Sequence, residues 1–378
     1  MATARFFLGG LADCEWEGSG YASVRGIEQD TLAEWLIRCG LAPFAYAQCR
    51  DAFPELAVRL EKAFHTSAAR NALLFYGVFQ VLGRFREAGI PVVVLKGAAL
   101  AERAYGSFAL RTMSDVDLWL RDEGIERATA IMQKLGCRER VKGSRPPALQ
   151  ALAGGERQFF GKWGLIELHW SPFPGWWLRW AAVVDDDAVW ARAEPLVMEG
   201  LTPSSTQNPE LVRRLAAEDM VIQVSVHLAV HHRFSVGTVR GLMDIALTAR
   251  TRPVDWSVVV ERAEQWRVKV AVWTALNLAK QLIGLPSAYR ALERLRPSPV
   301  RRVLLQRLVS PESVLEGKDL RGKWKRYLIW LLLVDRPRDI GRLVFRTLWP
   351  EREWLTARYG DVWNRWQHLW NVVRHGEV

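Results

Sequence analysis

Cysteine is scarce in this sequence: four in 378 residues, at positions 14, 39, 49 and 137, with no CxxC pair among them. That spacing supports neither a disulfide framework nor a zinc cage, so the fold must rest on an apolar core. Long hydrophobic runs are missing too. The longest strongly apolar stretch, Leu328 to Val334, falls far short of the roughly 20 residues that a membrane-spanning helix requires. The N-terminal residues lack the basic, apolar and small-residue succession of a secretory signal. A reduced, cytoplasmic protein is therefore the expectation. No GxxxxGK followed by Ser or Thr, no GxGxxG, no GxSxG and no HRD with DFG is present. Their absence argues against P-loop ATPases, Rossmann oxidoreductases, serine hydrolases of that type and protein kinases.

What is present is an ordinary globular composition, 49% hydrophobic and 25% charged, in a chain long enough for two or three domains. The formal charge of +11 is unevenly placed: from Arg290 onward there are 19 Lys and Arg against 10 Asp and Glu. Such a surface steers polyanions, although a solvated basic helix face is the plainer account. Sixteen of the 19 tryptophans follow residue 160, and Trp363, Trp366 and Trp370 fall at helical spacing. This stripe reads as core, or as a seam between helical layers.

Residues 1 to about 30 are Gly-rich and weakly patterned, an arm rather than an element. Helical patterns follow from Gln29, where Asp30-Thr31 offers a cap, then from Pro43 to Leu60 with a break expected near Pro54, and from Ala68 to Ala88, closed by Gly89. Ile90 to Leu95 predicts a buried strand and Thr112 to Arg121 a second one. Gly124 to Leu135 predicts a helix closed by Gly136, and Arg157 to Trp170 a hairpin. Trp176 to Val197 is irregular. TPSSTQNP at 202–209 is the best linker candidate. Beyond it helices are expected at 209–233, 239–250, 256–285, 300–309, 323–334 and 354–374. The expected organisation is an N-terminal arm and helices at 1–67, a catalytic domain at 68–202, and a basic, Trp-rich helical domain at 203–378.

The most informative stretch is PVVVLKGAALAERAYGSFALRTMSDVDLWL, residues 91–120. An apolar strand runs into Lys96-Gly97, and a second strand carries Asp115 and Asp117 on alternate positions. These two share a face, roughly 7 Å apart, while Val116 turns inward. Carboxylates so placed can converge on a pair of metal ions about 4 Å apart. The glycine turn offers backbone N–H groups to phosphate oxygens. Together they read as a site for a nucleoside triphosphate with a divalent metal.

The ordered set of LKG at 95–97, Arg111, SDVD at 114–117 and IELHW at 166–170 resembles the nucleotidyltransferase superfamily of DNA polymerase β type, and within it a bacterial branch. The resemblance runs from about Arg70 to Leu247, and weakly to Trp349-Pro350. It implies an α+β fold: a small mixed β-sheet nucleotidyltransferase core with helices, plus a C-terminal helical domain. It also implies that Asp115, Asp117 and Glu167 are the catalytic, metal-holding carboxylates for Mg²⁺ or Mn²⁺. Lys96, Gly97, Arg111, Ser114 and His169 would be the nucleotide-binding residues. Two departures stand out. Ala98 follows Gly97 where the family carries a hydroxyl or a second glycine, and the third carboxylate is Glu rather than Asp.

The implied reaction is attack of an acceptor hydroxyl on the α-phosphorus of an NTP, with pyrophosphate leaving. A small-molecule or peptide acceptor comes first. An RNA end or a protein side chain comes next, and phosphoryl transfer is a chemical variant. A non-catalytic nucleotide-binding protein and a purely structural helical scaffold are the rivals. His227 and His231 stand at i, i+4, but Leu228 occupies the place of a metalloprotease glutamate. With His232 and Asp244 they read as groups packing the helical part against the catalytic part, near the base or the acceptor.

Overall fold

Strand β1 (Val92–Val94) forms where three β-branched residues stand together, and all three are fully buried. It lies inside a seven-stranded mixed sheet of order β3-β4-β5-β2-β1-β7-β6 in a computed structural model. The structure describes residues 2–13, 16, 24, 27–140, 146–173, 175–197, 211–235, 237–317 and 323–375. The other strands are β2 (Asp115–Trp119), β3 (Arg138–Glu139), β4 (Glu156–Gly161), β5 (Gly164–His169), β6 (Glu194–Pro195) and β7 (Val212–Arg214). β2 is antiparallel to β1 and parallel to β5, while β4 and β5 form the expected hairpin. The α+β architecture read from the sequence is the one observed, and the C-terminal region is helical.

Helix α1 (Ala2–Asp13) replaces the expected arm, burying Phe7, Leu8 and Leu11. Next come α2 (Gln29–Cys39) and α3 (Ala42–Cys49). Glu28, not Asp30, stands at the start of α2 and accepts a hydrogen bond from the Thr31 hydroxyl at 2.6 Å. Helix α4 (Pro54–Glu87) is one 34-residue helix where two were expected. Pro54 begins it rather than breaking it, because a first-turn proline gives up no intrahelical hydrogen bond. Gly89, at φ +63°, ends it as expected.

Helix α5 (Lys96–Ala101) follows β1 and α6 (Asp122–Lys134) follows β2. The irregular stretch resolves into α7 (Trp176–Ala181), α8 (Asp186–Arg192) and β6. The linker candidate at 202–209 lies outside the described residues. Just past it the expected helix at 209–233 is corrected at its start: β7 pairs in parallel with β1, so the sheet takes a strand from beyond residue 203. Three residues are too few to show a period. The helical part then builds from α9 (Ala217–His227), α10 (Thr238–Thr251), α11 (Trp256–Gln265) and α12 (Lys269–Leu282). The expected helix at 256–285 is thus two, parted at Arg267 with φ +58°. Asp335 accepts the Lys269 and Val270 backbone N–H groups, each at 3.0 Å, and so starts α12 from 65 residues away.

Further helices follow at 289–294, 299–308, 311–315 and 323–333, then α13 (Pro337–Leu348), a short helix at 352–359, and α14 (Arg365–His375). Gly360, at φ +83°, divides the helix expected at 354–374. The tryptophan stripe is corrected at two of its three members: Trp363 packs against the small core of Leu149, Trp354 and Leu355 as expected. Helix α14 buries His368 and Val372 and turns Trp366 and Trp370 outward, 73% and 61% exposed.

Helix α4 crosses the sheet at Gly77, where Trp163 of the β4–β5 turn is buried against it. A Cβ at position 77 would lie 2.5 Å from Trp163 Cγ and overlap its Cβ as well. Rotating the ring does not relieve an overlap so near the backbone. Gly77→Ala is therefore expected to destabilise the fold. Overpacking of about 1–3 kcal/mol outweighs about 1 kcal/mol of helix propensity. The denaturant midpoint should fall accordingly.

Candidate active site

Register brings the acidic residues together. Asp117 stands beside Glu167 across the parallel β2–β5 pair, and Asp115 lies one step back on the same face. Across the β4–β5 hairpin, Gln158 faces Glu167 and Glu156 faces His169. His169 Nε2 lies 2.9 Å from Asp117 Oδ1 and 3.5 Å from Glu167 Oε2, while Gln158 Nε2 donates to Glu167 Oε1. Lys96, at the end of β1, places its Nζ 3.0 Å from Asp117 Oδ1. Its φ of +46° is an uncommon left-handed backbone for a residue with a side chain. The Ser114 hydroxyl donates to Asp115 Oδ1 at 3.2 Å.

The charges in this cluster push one another apart. Burial raises the Asp115 carboxyl, and the Asp117 and Glu167 charges lift it further, to about 6, against the pull of Lys96. Burial also opposes the charge on Asp117. There Lys96 and His169 together outweigh it and hold the carboxyl well below the usual range. Burial disfavours the His169 imidazolium, yet hydrogen bonds to Asp117 and Glu167 carry its value up to about 9. Three adjacent carboxylates attract positive charge strongly, and here they draw it from a lysine and a histidine.

Asp117, Glu167 and His169 each bring one ligand atom within 4.8 Å of the others. Two carboxylates and an imidazole, with Asp115 beside them, form a donor set that suits a divalent cation such as Mg²⁺ or Mn²⁺ through its oxygens. His169 Nδ1 is buried without a hydrogen-bond partner, and Glu156 Oε2 lies 4.0 Å away.

Arg111 lines the same cleft, but its charge is engaged. Its Nε and Nη2 donate to Asp244 Oδ1 and Oδ2 at 2.9 and 2.6 Å, and the Tyr105 hydroxyl donates to Asp244 Oδ1 at 2.6 Å. Asn71 Nδ2 fixes the Arg111 backbone, donating to its carbonyl at 2.7 Å. The guanidinium presses on Gly97: a Cβ there would overlap Nη1 and lie 2.9 Å from Cζ. Glycine at 97 thus makes room for Arg111.

The opposite wall is helical. Helix α9 ends at His227 and runs into a π-helical turn, Leu228–His232, followed by Arg233 and Phe234 in left-handed conformation at φ +49° and +53°. π-turns and left-handed non-glycine residues concentrate at functional sites. The His227 ring lies 4.8 Å from those of both His231 and His232. Burial, then the Lys96 charge and the neighbouring histidines, keep His227 neutral, well below its ordinary value. Arg240 donates to the Thr112 carbonyl at 3.2 Å.

The two walls enclose a cleft of about 250 Å³, lined by Lys96, Gly97, Arg111, Ser114, Asp115, Asp117 and Glu167, with the three histidines, Arg240 and Asp244 facing them. His169 lies behind the carboxylates, 1% exposed. Sequence reasoning missed Gln158, Glu156, Tyr105, Asn71 and Arg240. The first two were within reach, since fixing the hairpin turn sets them opposite Glu167 and His169.

Residues 25–284 match the model of the NTP_transf_5 family, described as uncharacterised nucleotidyltransferase. The chain belongs to this family. The match spans the sheet, both walls of the cleft and the helices through α12, so the nucleotidyltransferase assignment rests on the part that carries the carboxylates. Among curated proteins none matches the chain. Among solved structures it is similar to the antibiotic-resistance factor ANT(2'')-Ia, known in solution, at 18% identity over 60% of this chain and 96% of that one, with a TM-score of 0.26.

Proposed function

We propose that this nucleotidyltransferase moves a nucleoside monophosphate from an NTP to a hydroxyl of a small-molecule or peptide acceptor, with Mg²⁺ or Mn²⁺ held by Asp115, Asp117 and Glu167. The supporting observation is the pairing of Asp117 with Glu167 across β2 and β5, beside Asp115 and opposite Lys96. Bound metal would supply charge neutralisation at the phosphates and ease loss of the acceptor proton.

The chain's own residues divide the remaining work. His169 and Gln158 hold the Asp117 and Glu167 carboxylates in place from behind. Lys96 exchanges its ion pair for the phosphates of the nucleotide. Ser114 orients Asp115 through their hydrogen bond. Arg111 acts by bracing the 96–97 turn rather than as a free charge, because Asp244 takes two of its nitrogens. On the helical wall, neutral His227 accepts a hydrogen bond from the acceptor hydroxyl.

In this reading the catalytic domain, 68–202, meets the helical domain, 203–378, at the cleft, with 212–214 lent to the sheet. A cytoplasmic setting accords with the free, buried Cys39, Cys49 and Cys137.

The test uses the four NTPs labelled at the α-phosphorus, with Mg²⁺ or Mn²⁺ and a fractionated cell extract. Label should enter a small-molecule or peptide fraction with one pyrophosphate released per transfer. Transfer of label from γ-labelled NTPs in a parallel assay, with none from α-labelled ones, would mean phosphoryl transfer. Metal-dependent NTP binding that never yields pyrophosphate with any fraction would reduce the protein to a nucleotide sensor.

A further inference from the structure

The last two long helices expose what helices in globular proteins bury. On α14, Trp366, Trp370 and Val373 follow one another at i, i+4 and i+7 and are 73%, 61% and 63% exposed. The preceding loop exposes Val362, and the end of α13 exposes Phe345, Leu348 and Trp349. The two elements that carry them are in contact. The His368 ring meets the Thr347 carbonyl at 2.9 Å, Arg365 donates to the Pro350 carbonyl at 3.1 Å, and its guanidinium lies 4.5 Å over the Trp349 ring. Aromatic and aliphatic side chains gathered in this way mark a surface with an occupant.

Charge identifies the occupant. Residues 336–375 hold eight arginines, no lysine and four acids. Two of those acids are engaged, Asp339 with Arg267 and Glu351 with Arg346. Arg342 and Arg346 lie over Trp180 on α7, at 5.0 and 4.8 Å. Arg338, 3.8 Å from Asp339 Oδ1, is 71% exposed on α13, while Arg374 lies 5.6 Å over the exposed Trp370. The partner is therefore anionic. A single-stranded nucleic acid would use the rings and the arginines but has no use for exposed Val362, Leu348 and Val373. A bilayer interface takes all of them: aliphatic groups and indoles enter the headgroup boundary, and guanidinium groups meet lipid phosphates. No helix among the described residues is long and apolar enough to cross a membrane, so the contact is peripheral.

We infer that the face formed by the end of α13 and the outer side of α14 docks on an anionic phospholipid surface. The metal cleft stands on other elements, so this inference does not depend on the proposed reaction.

Flotation of the full chain with vesicles tests it. Binding is expected to vesicles containing phosphatidylglycerol, to be weak on pure phosphatidylcholine, and to fall as salt rises. A Trp366→Ser, Trp370→Ser double variant should lose at least tenfold in bound fraction with an unchanged circular dichroism spectrum, since both side chains are exposed. No flotation at low salt, or flotation that the double variant retains, would overturn the inference. So would a dimer that the same variant dissolves, or binding to polyuridylate that vesicles fail to displace.

Discussion

Asp115→Asn is expected to lower transfer by about a thousandfold or more while the folded protein keeps or gains stability. Asp115 stands half-buried beside Asp117 and Glu167, and burial with those like charges lifts its carboxyl to about 6. At pH 8 the folded chain therefore carries a charge that its surroundings resist, and asparagine removes the charge while keeping the shape. The sign follows from linkage. The folded value lies above the ordinary carboxylate value of about 4, so between the two the folded state binds more protons than the unfolded one. As pH falls through 6 the wild type sheds its penalty, and the advantage of the variant should shrink and vanish near pH 4. Thermal melting in a chelator, from pH 4 to 8, measures this, and pyrophosphate release measures activity. A variant less stable than wild type at pH 8, or one still turning over, would contradict the assignment.

Asp244→Ala should do the reverse, striking the fold first. Arg111 and Asp244 are both buried, at 8% and 2% exposure, and the Tyr105 hydroxyl shares the carboxylate. Removing Asp244 strands a guanidinium and a phenol in the interior, which costs on the order of 3–5 kcal/mol. That is a large part of the stability of an ordinary domain, about 5–15 kcal/mol. Replacing the pair together, Arg111→Met with Asp244→Leu, should return much of the stability, because no buried charge is left alone. Activity should stay low in the double variant, since the 96–97 turn then lacks the guanidinium that packs on Gly97. Denaturant titration of the single and double variants gives the comparison. Single variants within about 1 kcal/mol of wild type would show that the pair bears little of the fold.

Much of the carboxylate-bearing face was legible because it is local. The alternation of Asp115 and Asp117 about buried Val116 needs only the period of a strand, and the 157–170 hairpin carries Glu167 and His169 on one side by the same period. The turn after β1 announced itself through three valines and Lys96-Gly97. The role of Arg111 was not legible. Its partner lies 133 residues away, on a helix whose packing no local pattern reports. Pro54 was misread because the same residue breaks a helix interior and opens a first turn, and the difference is where the chain bends beforehand. The outward turn of Trp366 and Trp370 escaped for a related reason. Spacing shows that a helix has an apolar stripe, and neighbours decide whether it is covered.

The sequence by itself determined the α+β class, the shared face of Asp115 and Asp117 on the SDVD strand and the basic, tryptophan-rich C-terminal part. These follow from residue type and short-range period, which the backbone geometry of helices and strands converts directly into faces. Tertiary structure decided that Asp117 stands beside Glu167, that Arg111 answers to Asp244, that three histidines form the far wall of the cleft, and that a valine and two arginines past residue 211 complete the sheet. Each of these depends on contacts between segments distant along the chain. Their closure is set by the packing of the whole core rather than by any local preference.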